Sequence, residues 1–163
     1  MELRIAWLAG IVDGEGCIQS GITRWKGRVH HLTVTVHVGN TDPRIIEEAA
    51  AIYDHFGIRY CLPAPQSPGK RRPLYSIVVS NFQPVTTLLN LVMPHLISKK
   101  EQAALLLRII EQRKQSTLRR VRNELGQFGG TWSPLEKDEG VAALIQELQM
   151  MKRQTFENTG GTP

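Results

Sequence analysis

The segment His31–Val38 reads HLTVTVHV. Leu32, Val34, Val36 and Val38 alternate with Thr33, Thr35 and His37. Successive side chains of a strand point to opposite faces, so a strict period of two demands one buried apolar face and one polar face in water. A chain with such a strand folds around a sheet that is covered on one side only. The other periods along the chain must supply that cover. Residues 3–12, LRIAWLAGIV, set Ile5, Leu8 and Val12 on one helical stripe with Ala9 and Gly10 beside it, and DGEG then ends the helix. From Cys17 the period changes to two, and Gly27 offers a hairpin turn between residues 17–24 and the alternating strand.

Farther along, Thr41-Asp42-Pro43 is a helix opening, with a capping side chain ahead of a proline in the first turn. Ile45, Ile46, Ala49, Ile52, Tyr53 and Phe56 form its core stripe, and Gly57 closes it. A short strand is expected at Ile58–Leu62, then the proline-rich loop PAPQSPGKRRP, then a returning strand at Leu74–Val79. Asn81 can cap a helix bearing Val85, Leu88, Leu89 and Val92. Ser98 and Glu101 fit a capping box for the next, which carries Ala103, Leu106, Leu107 and Ile110. Ser133 and Glu136 fit a second box, opening a last helix with Leu144, Leu148 and Met151. The expected class is α+β, an α-β-β-α-β-β-α core with a four-stranded antiparallel sheet followed by two C-terminal helices. One domain is expected over residues 1–155, with a disordered tail at 156–163.

Basic residues outnumber acidic ones by 20 to 15, a net charge of +5, which favours a polyanionic partner. No apolar run approaches the roughly 20 residues that span a bilayer, and no secretory signal is visible, so an intracellular, membrane-free setting is expected, whether organelle or prokaryotic cytoplasm. Cys17 and Cys61 have neither disulfide nor zinc spacing and read as small buried strand residues. The five histidines form no ligand pattern.

Leu8-Ala9-Gly10-Ile11-Val12-Asp13-Gly14-Glu15-Gly16 resembles the LAGLIDADG signature, with identity at Leu8, Ala9, Gly10, Asp13 and Gly16. Placed at the end of an amphipathic helix and before a hairpin, it is similar to the motif of single-motif homing endonucleases over roughly residues 3–115. The resemblance implies a homodimer that cuts both strands of a long, pseudo-palindromic double-stranded DNA site, leaving 3′ overhangs. It implies Mg2+ as cofactor, with Mn2+ able to substitute and Ca2+ binding without cleavage. Glu15 corresponds to the metal-binding carboxylate, with the Gly14 carbonyl contributing, while Asp13 is expected to be structural. Most family members have Asp where Glu15 stands. Asn40 corresponds to a water-positioning amide, or else only caps the following helix. Arg44 and Lys99 correspond to the basic active-site residues, Lys100 being the rival of Lys99.

The physical case for the motif is that small residues let two helix backbones approach, so Leu8, Ala9, Gly10, Val12 and Asp13 are expected at a two-fold interface. Two carboxylates brought together there repel unless a cation lies between them. The polar sheet face then has a use, because antiparallel ribbons fit the major groove. Gln19, Gly21, Thr23 and Trp25 on the first strand and His31, Thr33, Thr35 and His37 on the second are expected to face DNA. Arg59, Lys70, Arg71 and Arg72 are expected to hold phosphates. Arg113, Lys114, Arg119, Arg120 and Arg122 are either flanking phosphate contacts or a solvated helix face. A related RNA-binding intron maturase, or a non-cleaving DNA-binding regulator on the same fold, are the alternatives.

Overall fold

The computed structural model describes residues 1–25, 28–67, 72–118 and 139–158, and leaves out the side chains of residues 23–25, 28–31, 116–118, 139 and 154–158. In chain order the elements are α1 (Glu2–Glu15), β1 (Gly16–Trp25), β2 (Arg28–Asn40), α2 (Pro43–His55), β3 (Tyr75–Ser80), α3 (Phe82–Val92), a 3-10 turn (Met93–His95), α4 (Lys100–Leu118) and α5 (Glu139–Asn158). The class is α+β, as the periods predict. The chain divides into two compact units, one of Met1–Gln19 with Val34–Ala104, the other of Ser20–Thr33 with Leu105–Pro163.

In the first unit β2 pairs antiparallel with β3, Val36 opposite Val79 and Val38 opposite Ile77. These four are buried, and α2 and α3 lie against β3 while α1 packs on α2 and α3. The intervening register, Thr35 with Ser80, His37 with Val78 and Gly39 with Ser76, therefore forms the outer face. Leu8, Ala9 and Val12 of α1, Ile46, Ala49, Ile52 and Tyr53 of α2, and Val85, Leu88, Leu89 and Val92 of α3 fill the core. Helix α1 runs one turn farther than DGEG suggests, through Asp13, Gly14 and Glu15, and stops at Gly16. A Cβ at Gly16 would collide with the Val12 carbonyl oxygen and lie 2.8 Å from its Cα, so the last motif position admits only glycine without a shift of the helix end.

The ends of α2 follow their sequence. Asp42 caps it, accepting from the Arg44 N–H at 3.0 Å, with Pro43 in the first turn. Gly57 takes φ +64, Ile58 N–H donates to the Tyr53 carbonyl at 2.9 Å and Gly57 N–H to that of Asp54 at 3.1 Å, the pattern of a Schellman stop. Asn81 differs from expectation. It sits at φ 74 with no side-chain cap bond, and only its carbonyl starts α3.

Among the described residues the sheet has three strands, in the order β1-β2-β3, not the four expected. Of the expected strand at Ile58–Leu62 one isolated bridge remains, Cys61 with Val78, and a second bridge, Gln66 with Leu74, lies in the loop beyond it. Pro63 and Pro65 lie between the two bridges and have no N–H to give a ladder, so pairing survives only on either side of them. Cys61 is exposed and Cys17 half-buried, contrary to the expected burial of both, and no disulfide joins them.

In the second unit, Leu105, Leu106, Ile109 and Ile110 of α4 and Val141, Leu144, Ile145 and Leu148 of α5 are buried. A Cβ at Gly140 would collide with the Gln112 side-chain amide, so this glycine allows a close approach. The second capping box and the hairpin turn at Gly27 lie outside the described residues. Helix α5 runs through Asn158, into the stretch expected to be a tail.

Candidate active site

Gly14 and Glu15 are both exposed at the C-terminal turn of α1. The last carbonyls of a helix have no N–H partner farther along, and they form the negative end of its dipole. Part of that end is met by another element. Lys99 Nζ donates to the Val12 carbonyl at 3.1 Å and also to the Asp13 carbonyl. In the opposite direction, the Asp13 carboxylate accepts from Ile97 N–H at 2.6 Å, from Lys99 N–H at 2.9 Å and from the Ser98 hydroxyl at 3.1 Å. Partial burial pushes the Asp13 pKa up, but the N–H groups of Ile97 and Lys99, with Ser98, more than offset it and hold the carboxyl below its ordinary range. The Asp13 carboxylate is thus committed to the segment leading into α4. The Ser98 hydroxyl, expected to accept within a capping box, donates to Asp13.

Asn40 and Arg44 belong to one turn. Asn40 Oδ1 accepts from Asp42 N–H at 2.9 Å, which shapes the chain ahead of α2. The Arg44 guanidinium turns back on Asp42, with Nη2 to Oδ2 at 2.6 Å and Nε to Oδ1 at 3.0 Å. This pair holds the Asp42 carboxyl down at about 2 and raises Arg44. Arg44 is nevertheless 84 % exposed. The order β1-β2-β3 brings the start of β1, just after Glu15, and the end of β2, at Asn40, to the same end of the sheet, where Asn40 pairs with Tyr75. Lys100, the rival of Lys99, is exposed in the first turn of α4.

Among the described residues no group of three or more His, Cys, Asp or Glu is gathered as a metal cage. One chain offers a divalent cation the Glu15 carboxylate and the Gly14 carbonyl, hard oxygen donors at the negative end of a helix. Mg2+ prefers six oxygens, so these two fit a site that further oxygen donors complete.

The two faces of α1 part company. Leu8, Ala9 and Val12 are 0 % exposed inside the chain's own core, so they are not at a surface that a second chain can reach. The face left open is carried by Leu3, at 87 % exposure, with Trp7, Gly10 and Gly14. A Cβ at Gly10 or Gly14 would meet nothing within 4 Å. Beside this face Leu3, Arg4 and Trp7 line a groove of about 530 Å³ with Asp42, Arg44, Ile45 and Glu48, and Arg4 pairs with Glu48 at 2.7 Å.

Of the positions expected to face DNA, Gln19 and Arg59 are exposed, as is Arg72, and Thr35 and His37 lie half-buried on the outer sheet face. Thr33 is exposed and its hydroxyl donates to the Gly21 carbonyl at 3.1 Å. The side chains of Thr23, Trp25 and His31, and the residues Lys70, Arg71, Arg119, Arg120 and Arg122, lie outside the described set. Arg113 is 8 % exposed, so it is no solvated helix face, while Lys114 is exposed. The sequence reading missed Ser76, Val78 and Ser80, which share the outer face with Thr35 and His37. Alternation against Ile77 and Val79 was the signal for them. No helix among the described residues is long and apolar enough to cross a membrane.

Comparison with known proteins agrees with this geometry. No curated protein sequence matches the chain. The solved structure of the archaeal intron-encoded homing endonuclease I-Vdi141I, complexed with DNA, superposes with a TM-score of 0.64 at 18% identity, covering 92% of this chain and 84% of that one. The homing endonuclease I-TnaI gives 0.60 at 18% identity over 96% and 99%. The homing endonuclease I-CvuI, in complex with its target in the presence of Ca, gives 0.55 at 22% identity over 91% and 96%. The family model of the LAGLIDADG-like domain matches residues 2–126. With its signature at the end of α1, running straight into a hairpin over a helix-backed sheet, the chain belongs to the LAGLIDADG family and has the fold of its homing endonucleases.

Proposed function

We propose that this protein is a site-specific DNA endonuclease. It acts as a homodimer on a pseudo-palindromic duplex and hydrolyses both strands with a divalent metal, leaving 3′ overhangs. The observation that carries the reading is the exposed Glu15 on a helix end that is pinned by Lys99 and Asp13. A carboxylate meant only for solubility has no need of a fixed platform.

The two-fold axis runs beside the open face of α1, where Gly10 and Gly14 let a second helix come close and Leu3 and Trp7 add apolar contact. That arrangement sets the two Glu15 carboxylates side by side, and mutual repulsion makes the pair a cation site. A divalent ion held there supplies Lewis acidity, activating water and stabilising charge on the phosphate. Asn40 and Arg44, at the same end of the sheet as Glu15, orient solvent and phosphate, with Arg44 leaving Asp42 as phosphate approaches. Solvent screens an exposed pair of this kind, so the exchange is inexpensive. The outer face of the sheet lies in the major groove, with Arg59, Lys70, Arg71 and Arg72 against phosphates.

Glu15→Gln keeps the shape and removes the charge. With magnesium and a plasmid carrying the joined DNA flanks of the gene, the wild type is expected to give linear product that EDTA abolishes. Glu15→Gln is expected to bind that DNA equally well and to cleave it by several orders of magnitude more slowly, roughly the share that metal and electrostatic catalysis supply. Normal cleavage by Glu15→Gln, with Asp13→Asn binding well but inactive, would reverse the assignment of the two acids.

A further inference from the structure

The ends of α1 and α4 exchange charge. The carbonyl of Lys99 accepts from Ala103 N–H at 2.9 Å, so Lys99 occupies the N-terminal boundary of α4, where a cation is unfavourable. Side chains that usually hold this boundary bring their own acceptor, which lysine lacks. The acceptor comes instead from Asp13, which faces the consecutive backbone N–H groups of Ile97, Ser98 and Lys99. Successive N–H groups of this kind form an anion nest. The misplaced ammonium reaches across to the Val12 and Asp13 carbonyls at the negative end of α1. Val12 O also receives the N–H of Gly16, so the turn bearing Gly14 and Glu15 is tied on both of its flanks.

We propose that Asp13 and Lys99 form a reciprocal clasp that positions Glu15, with Lys99 serving the reaction through the backbone of α1 and not by contact with DNA. The inference rests on the metal-site reading of Glu15 and deepens it. Neither residue is catalytic in the sense of touching the reacting atoms. The carboxylate of Asp13 holds the approach to α4 at the end of α1, and the ammonium of Lys99 stiffens the last turn from which Glu15 projects. A bare surface lysine contacting phosphate would contribute charge alone. The clasp makes the two residues one unit, so losing either releases the other.

The test uses the full chain as wild type, Asp13→Asn, Lys99→Met, Lys99→Arg and the Asp13→Asn/Lys99→Met double variant, with Ser98→Ala as a milder loosening should the others fold poorly. Hydrogen exchange without metal or DNA is read first. Lys99→Met is expected to speed exchange across residues 97–103 as well as 13–16, and Asp13→Asn to do the same, with the double variant no worse than the worse single. Calcium alone, titrated calorimetrically, is expected to bind about tenfold more weakly to either single variant, the range seen when supporting partners of a metal ligand are lost. Lys99→Arg should recover most of that loss. The salt dependence of duplex binding should be unchanged in Lys99→Met. A slope lower by about one unit would instead mark a phosphate contact and overturn the proposal. So would additive effects in the double variant, or exchange confined to the mutated side. If the wild type fails to cut DNA, the endonuclease reading falls alone, because exchange and calcium binding still decide the clasp.

Discussion

Asp42 shows how much one carboxylate settles locally. It caps α2 through the Arg44 N–H and grips the Arg44 guanidinium with both oxygens. Those bonds hold its pKa near 2, against an ordinary 3.8. A depressed carboxylate contributes stability that is complete above its unfolded pKa and is lost as pH falls through the folded one. The advantage of wild type over Asp42→Ala should therefore be constant above pH 3.8 and shrink toward pH 2, as followed by helical circular dichroism in an acid titration. Asp42→Asn should retain part of the cap and lose that pH dependence, since asparagine accepts at a helix start without a charge. In the same variant Arg44 is unleashed, and duplex binding should tighten if the guanidinium belongs on phosphate.

At the scale of the element, α1 divides its labour by face. Leu8, Ala9 and Val12 face the core and Gly10 faces out. Truncating Leu8 to Ala should cost about 2–5 kcal/mol of stability in urea unfolding, as cavities in closed cores do. Gly10→Phe makes the opposite prediction. Nothing in the chain lies within 4 Å of a Cβ there, so the fold should tolerate it. Close approach of a second α1 should not. Sedimentation is expected to show wild-type dimers and Gly10→Phe monomers, and a monomeric wild type, free and on DNA, would sink the two-fold arrangement.

Across the whole molecule the net charge of +5 sets how the protein meets a polyanion. Binding through phosphates releases counterions, so log K should fall linearly with log salt. Changing Lys70, Arg71 and Arg72 together to Ala should lower the magnitude of that slope by roughly 0.9 for each residue that touches a phosphate, with sequence preference intact. An unchanged slope would remove this loop from the interface.

The helices and strands with strong periods were legible before any coordinates. The alternation of Leu32–Val38, the Thr41-Asp42-Pro43 opening and the Gly57 stop are local physics, decided within a few residues. The signature at Leu8–Gly16 was legible for the same reason, its small and acidic positions standing in one unbroken run. What local pattern could not decide was which partner each residue meets. The stripe Leu8–Val12 suits a second helix or the chain's own sheet equally well, and only packing sent it inward and left Leu3, Trp7, Gly10 and Gly14 outside. The weak fourth strand failed because pairing is a property of two segments, and Pro63 and Pro65 deny one of them its donors. The clasp between Asp13 and Lys99 joins residues 86 positions apart. Nothing in either neighbourhood announces the other, so the charge exchange between two helix ends exists only once the chain has brought those ends together.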